Sequence, residues 1–287
     1  MIRILILGVA LASAAIALAV AAFETPRPLT SLGLLLPVLG PVAILGIFAT
    51  RSPWLKLFAM AGAFWSFATI GPAFIPQVPG EDVRVYSKNL AAGNGRIAAL
   101  VEDIRSAGVD LVMLQELSDA NRRILKRLED DFPHQHVCTY SRWSGIAILS
   151  KVPFDGAPRC TEGRVLAAAP VIVSETRVWA VSAHIPWPWP RPTGPHEAEA
   201  RAFLSDLDAP VVLAGDFNSF PWVARVRGFA APNRLKAAGP ARATFSFKGI
   251  PLPIDLAFAP GGGRLERRPE MGSDHAGIVA DLSLIPR

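Results

Sequence analysis

The chain has 287 residues, is 51% hydrophobic with a positive mean hydropathy, and carries a net charge of +5. That content excludes a disordered or low-complexity protein and supplies apolar surface for a sizeable core. The charge is unevenly spread. Residues 1–75 hold only Arg3, Glu24, Arg27, Arg51 and Lys56, which leaves 76–287 nearly neutral with 25 basic and 23 acidic residues, not the basic footprint of a dedicated duplex-DNA binder.

Three stretches of 1–75, namely 4–23, 29–50 and 54–75, reach the ~20 apolar residues needed to cross a ~30 Å hydrocarbon core. Pro37 and Pro41 are expected to kink the second. Two further spans follow the first at once, which argues against a cleaved signal peptide ending near Phe23. Short polar turns at 24–27 and 51–53 predict an antiparallel three-helix anchor, with Lys56 snorkelling to the nearer interface. Arg3, Arg51 and Lys56 fall on one side and Arg27 on the other, so the first side is expected to be cytoplasmic. An odd number of spans then carries the remainder across, in a bacterium to the periplasmic face of the inner membrane. Residues 76–82 read as a linker and 83–287 as a soluble domain.

In that domain 83–86 reads as a strand ending near Asn89. Residues 95–107 read as a helix with Ile97, Leu100, Val101 and Ile104 on one face at i, i+3, i+4, i+7. A buried strand at 109–117 follows, then a helix from Ser118 to Asp130 whose Arg122, Arg123, Lys126 and Arg127 read as a solvated face. His134 and His136 alternate in a strand-like run without a third ligand and read as surface histidines. Strands are expected at 145–150, 165–174 and 178–184, a helix at 195–207 with His196 as its cap and Glu197 and Glu199 suiting its dipole, and a strand at 211–214. Asp110 and Asp281 read as surface or strand-end caps, and 261–263 as a flexible turn. Cys138 and Cys160 flank the strand 145–150, and an oxidising compartment would let them pair. No Cys/His spacing suggests zinc.

Polar clusters directly follow apolar strand-like runs: Gln115-Glu116 after 111–114, Gly215-Asp216-Phe217-Asn218 after 211–214, and Asp255 after Pro253-Ile254, with Ser273-Asp274-His275 near the end. Side chains just past neighbouring strand ends converge at one rim of a sheet. A buried carboxylate is costly unless paired or metal-bound, so several of them point to a hard cation, Mg²⁺ or Mn²⁺, with oxygen ligands.

Together with Ser87-Lys88-Asn89-Leu90, Gly145-Ile146-Ala147-Ile148-Leu149-Ser150 and Ala183-His184, these pieces resemble, in order and over roughly 83–284, the endonuclease/exonuclease/phosphatase superfamily. Its members cleave phosphoester bonds in nucleic acids, inositol phosphates or sphingomyelin. The resemblance implies a four-layer α/β sandwich, two sheets face to face with helices outside. It implies that Glu116 binds the metal with Asn89 beside it and Asp274 as a further carboxylate. It implies that His275, oriented by Asp255, contacts the phosphate or acts as base, that Asp216 positions or activates the water, that Asn218 binds a phosphate oxygen, and that His184 stabilises developing charge or assists the leaving group. The departures are mild: Ala183-His184-Ile185 for the commoner Thr-His-Leu, Lys151 for Arg, and Ala276-Gly277 where Pro is frequent.

Immediately after His184 the run Pro186-Trp187-Pro188-Trp189-Pro190-Arg191-Pro192 predicts an extended loop, its tryptophans suited to stacking on a base, covering a sugar, dipping into the membrane interface, or simply packing. Two function classes follow: a membrane-anchored metal-dependent phosphoesterase, or a non-catalytic membrane scaffold that keeps the fold. Within the first, a nuclease and a lipid or small-molecule phosphodiesterase are both open.

Overall fold

The computed structural model describes residues 2–22, 33–188 and 193–286. It divides into two compact units, one of Met1–Ile75 with Trp222–Arg227 and one of Pro76–Pro221 with Gly228–Arg287.

In the first unit α1 spans Ile2–Ala22, α2 Leu36–Ala49 and α3 Pro53–Ile70. Among the described residues only the first and third are long and apolar enough to cross a membrane by themselves. Of the three expected spans the second is described only in part: α2 has 14 residues, a rise of ~21 Å, and residues 23–32, which include the start of that predicted span, lie outside the described residues. Pro37 sits in the first turn of α2, where its missing N–H costs nothing, while Pro41 lies inside the helix.

Small residues face inward. Ala10, Ala14, Ala17, Ala43, Ala59 and Ala63 are buried, while Ile4, Leu5, Phe48, Trp54 and Phe64 are exposed. An added Cβ at Gly62 would meet Ala14, at Gly46 it would meet Ala10 and Ala59, and at Gly40 Ser66. Matching of 46 with 59 and 40 with 66 makes α2 antiparallel to α3, and the levels of 10 with 59 and 14 with 62 make α1 parallel to α3, hence antiparallel to α2. Ser66 Oγ donates to Leu36 O at 2.6 Å. With large side chains outward and glycine, alanine and serine inward, the backbones of the three helices approach closely.

In the second unit the strands are β1 Val83–Asn89, β2 Leu111–Gln115, β3 His134–Thr139, β4 Gly145–Ser150, β5 Arg159–Cys160, β6 Leu166–Val173, β7 Thr176–His184, β8 Val211–Asp216, β9 Lys236–Gly239, β10 Phe245–Phe247, β11 Ile250–Leu252, β12 Asp255–Ala259, β13 Gly262–Arg267 and β14 Ile278–Ser283. Twelve of them hydrogen-bond in the order β3-β4-β2-β1-β14-β13-β9-β12-β8-β7-β6-β5, and β10 with β11 forms a separate hairpin.

Side chains alternate across each strand. Val85, Leu111, Met113, Ile146 and Ile148 from one half of the ladder meet Ala167, Ala169, Val178, Ala180, Val212 and Ala214 from the other in a single core. The opposite face of the first half, with Tyr86, Val112, Leu114, Ala147 and Leu149, is covered by Ile97, Leu100, Val101 and Ile104 of helix α4, Ile97–Ala107. On the second half Phe217 stacks edge-on against Phe258 and Phe229.

The two facing layers and their helices match the expected layering, but not as two separate sheets. β9 pairs with both β12 and β13, at Ala238–Gly263 and Gly239–Arg264 on the β13 side, so one mixed ladder folds over on itself. Gly263 lets β13 lie close against β14: its φ is +151° and a Cβ would lie 2.0 Å from Asp281 O. Thus Gly262 and Gly263 belong to a strand rather than a flexible turn.

Three other expectations need correction. The helix after Ser118 is short, Arg123–Arg127, although the basic side chains at 122, 123, 126 and 127 are exposed as anticipated. Asp281 is buried in mid-strand and paired with Arg84. His196 is not a cap, since helix Gly194–Ser205 starts after Thr193. Residues 76–82 are hydrogen-bonded to the rest of the second unit: Gly80 N donates to Asp281 O, Asp82 N to Leu282 O, and Gln77 Nε2 to Ala237 O.

Cys138 and Cys160 form a disulfide. It joins β3 to β5, the two outermost strands of the ladder. Closing the intervening loop, with a sequence separation of 22, stabilises the fold by about 3 kcal/mol in the chain-entropy view.

Candidate active site

Strand register creates the site. β7 and β8 run parallel with His184 opposite Asp216, and β12 runs antiparallel to β8 with Asp255 opposite Asp216. Three titratable side chains therefore form one row across three adjacent strands. In the other half β1 and β2 run parallel with Asn89 opposite Gln115, and Glu116 follows at once. Because the halves face each other, the two rows meet at one rim.

Glu116 and Asn218 adopt left-handed backbone conformations, φ +54° and +46°. Such positions cost on the order of 1–3 kcal/mol each and persist where neighbours over-determine them. Here they turn the chain sharply just past β2 and β8. Gly215 meets a steric demand beside them, since a Cβ there would lie 2.0 Å from Ala183 O and only glycine lets β8 approach β7 at this row.

Asn89 ties the rows together, its Nδ2 donating to Glu116 Oε1 at 3.0 Å and to Asp216 Oδ2 at 3.1 Å. Its Oδ1 accepts from Ala91 N at 3.0 Å. In that network Asn89 presents its amide donor to both carboxylates and draws them together. Ala92 N donates to Glu116 Oε2. His184 Nε2 lies 3.8 Å from Glu116 Oε1 and 3.9 Å from Asp216 Oδ2.

His275 Nδ1 is 2.8 Å from Asp255 Oδ2, with both side chains buried, and its Nε2 is 3.8 Å from Asp216 Oδ2. Its loop is fastened from β1: Ser273 Oγ donates to Asn89 O and accepts from His275 N, while Lys88 Nζ donates to His275 O at 2.6 Å. Burial lowers the Lys88 ammonium to about 8.

Burial raises Asp216 to about 7, with the charge of Asp255 adding to the shift and His275 opposing it. Burial works against the imidazolium of His275, but the hydrogen bond and charge of Asp255 outweigh it and hold the ring up at about 9. Burial pushes His184 below its ordinary value.

Asn218 Nδ2 donates to Ile185 O at 3.0 Å and to Asp216 Oδ2 at 3.3 Å, while its buried Oδ1 is unpartnered. The available atom is an acceptor, which suits a water hydrogen rather than an anionic phosphate oxygen. Asp274 is exposed, and among the described residues no hydrogen bond or ion pair joins it to Asn89 or Glu116. Seven of the eight sequence-predicted residues thus come together, and Asp274 stands apart beside His275.

Sequence reasoning missed Phe245. Its ring lies 4.7 Å from that of His275, and Trp187 lies 6.1 Å from Phe245, which makes an aromatic wall beside the imidazole. Trp187 is 40% exposed, and Trp189 lies outside the described residues. The hairpin β10–β11 gave no warning because its three-residue strands carry little pattern. Gln115, buried between the halves, donates to Ser182 Oγ at 2.9 Å.

Glu116 is about one third exposed at its side chain. Among the described residues neither it nor Asp216 is paired with lysine or arginine. Two carboxylates held toward each other by one amide, with no cationic side chain between them, fit a hard divalent ion taking oxygen donors.

The comparisons agree with this geometry. The model of the Endonuclease/Exonuclease/phosphatase family matches residues 83–275. A search of curated proteins gives no match. Among solved structures, truncated TDP2 of Caenorhabditis elegans is similar at 20% identity and a TM-score of 0.51, covering 71% of this chain and 98% of that one. An endonuclease/exonuclease/phosphatase family protein from Leptotrichia buccalis is similar at 15% identity and a TM-score of 0.57, covering 70% and 99%. Sphingomyelinase C from Streptomyces griseocarneus is similar at 20% identity and a TM-score of 0.50, covering 69% and 98%. At these identities the structural likeness speaks for the fold alone, but the family model spans most of the chain, and with it this protein belongs to the endonuclease/exonuclease/phosphatase family.

Proposed function

We propose that the protein is a membrane-anchored phosphoesterase, dependent on Mg²⁺ or Mn²⁺, that hydrolyses a phosphodiester or phosphomonoester by in-line attack of water. The observation that carries this reading is the Asn89 amide drawing Glu116 and Asp216 together between two histidines. Glu116 would hold the ion, which when bound would neutralise charge on the phosphoryl oxygens.

The chain's own groups divide the remaining work. Asp216, with a pKa of about 7 in the metal-free protein, is matched to accept a proton from water at neutral pH, and Asn218 Oδ1 accepts the water's other hydrogen. His275, charged at neutral pH because of Asp255, faces the phosphate as a cation rather than as a base. His184, kept neutral by burial, lies between the carboxylates and serves the leaving group.

The nearly neutral domain favours a phosphoester of the cell envelope over genomic duplex DNA. A nuclease remains the second reading, since the wall of Trp187 and Phe245 beside His275 suits stacking on an unpaired base. Incubating the purified full-length protein with single-stranded DNA, duplex DNA, phospholipid vesicles and inositol phosphates, with Mg²⁺ or Mn²⁺, should show hydrolysis of one class that EDTA abolishes. Hydrolysis unaffected by EDTA, or inertness toward the whole panel, would count against the proposal.

For placement, we infer a three-helix anchor in the inner membrane with the catalytic unit in the periplasm. The antiparallel packing of α1, α2 and α3 supports an odd number of crossings, with the Gly33–Leu35 3₁₀ turn lengthening α2 to about 27 Å. The charges at Arg3, Arg51 and Lys56 support the orientation, and the Cys138–Cys160 disulfide suits an oxidising compartment. A periplasmic reporter fused after Arg287 should be active and a cytoplasmic one silent; the reverse pattern would overturn this placement.

A further inference from the structure

His136 is not used by the active site, yet it faces both sulfurs of the disulfide. Its Nε2 lies 3.3 Å from Cys138 Sγ and 3.4 Å from Cys160 Sγ. His136 and Cys138 are two apart on β3 and so project from the same face, and Cys160 reaches them from β5. The three donor atoms all lie within 4.8 Å of one another. Cys160 is exposed and His136 partly so, which leaves the group open to solvent, while Cys138 is rooted in the core between the two halves of the ladder.

We propose that, when the disulfide is reduced, His136, Cys138 and Cys160 form a binding site for Zn²⁺. Four-coordinate zinc with bonds of about 2.0 Å to nitrogen and 2.3 Å to sulfur places nitrogen and sulfur ligands roughly 3.5 Å apart and two sulfurs roughly 3.8 Å apart. Both nitrogen–sulfur separations are already close to that value. Cutting the S–S bond lets the sulfurs separate to about van der Waals distance, which is the remaining adjustment, and the Cα atoms 5.8 Å apart need move little.

The chemistry balances. A dithiol donor supplies two electrons and two protons to the disulfide and becomes a disulfide itself. Both thiols of the protein then lose their protons as the ion binds. Water takes the fourth position on the exposed side. The ladder's two edges are therefore held together by a covalent bond in the oxidised protein and by an ion in the reduced one.

Full-length protein in detergent, reduced with dithiothreitol, desalted without oxygen and kept in millimolar Mg²⁺, is titrated with Co²⁺ as the spectroscopic probe. Thiolate-to-cobalt charge transfer in the near ultraviolet reports sulfur ligation, so binding at the oxygen-donor active site does not register. One equivalent of Co²⁺ should produce the band, Zn²⁺ should displace it, and oxidised protein should show none. His136→Ala, which keeps both cysteines, should weaken Co²⁺ binding by no less than the tenfold to hundredfold typical of losing even an outer-shell partner. The proposal is overturned by reduced, folded protein that gives no band, by a His136→Ala variant with unchanged affinity, or by loss of the native circular dichroism on reduction.

Discussion

Asp255→Asn should lower turnover by about a hundredfold or more, the scale on which a positioned proton-handling group acts, with His275→Ala falling at least as far. The carboxylate accepts the Nδ1 proton of His275 at 2.8 Å inside a buried pair, which fixes the ring so that Nε2 points toward Asp216. An asparagine of the same shape can turn its amide N–H toward Nδ1 and reverse the tautomer, as well as removing the charge that sustains the imidazolium. The same pair carries a pH signature in metal-free protein. The folded-state pKa of about 9 for His275 stands above the unfolded value of about 6.5, so its contribution to stability is complete below about 6.5 and disappears as pH rises through about 9. Asp216 also loses stability with rising pH, but its change is centred on lower pH, ending near 7. Lys88, lowered by burial from 10.5 to about 8, works in the opposite sense above about pH 8, so thermal melts of metal-free protein should decline between pH 7 and 8, and the decline should flatten in Asp255→Asn. A variant that turns over at close to the wild-type rate, or melts that decline identically, would show that the pair does not do this work.

Local sequence pattern foretold the strand ends because the catalytic row follows from register: once 111–114 and 211–214 are read as buried strands, Glu116 and Asp216 must emerge at their ends. Alternation within β1, β2 and β4 likewise sorts Val85, Leu111 and Ile148 from Tyr86, Val112 and Leu149. What stayed hidden depends on contacts between distant segments. No pattern in 236–239 announces that it pairs on both sides and joins the halves into one ladder. Neither does the sequence around Lys88 reveal that its ammonium spans to the carbonyl of His275, nor that Asn89 turns its amide nitrogen rather than its oxygen toward Glu116. Asp274 is a different case. Its place in a motif suggested a ligand, while its exposed side chain makes no bond to Asn89 or Glu116. His136 belongs with the hidden contacts: its alternation with His134 reads as a surface, because the sulfur from β5 that faces it lies 24 residues away.

Glu116→Gln should abolish the response to divalent metal and lower turnover by at least about a hundredfold. The substitution keeps the side chain's size and one acceptor for the Asn89 amide, so the left-handed turn at φ +54° is preserved and the loss reports the charge. In wild type, Mg²⁺ or Mn²⁺ binding to the folded state alone must raise the melting temperature, and by mass action an ion at a hundred times its Kd adds about 2.7 kcal/mol. In Glu116→Gln that shift should vanish. In the metal-free variant two effects oppose each other: a carboxylate facing Asp216 without an intervening cation is removed, and Ala92 N loses its Oε2 acceptor. Activity and thermal shift thus fail together if Glu116 is the anchor. A variant still stabilised by Mg²⁺ at the wild-type concentration would place the ion elsewhere, and the carboxylates at Asp216, Asp255 and Asp274 would then be the next to replace.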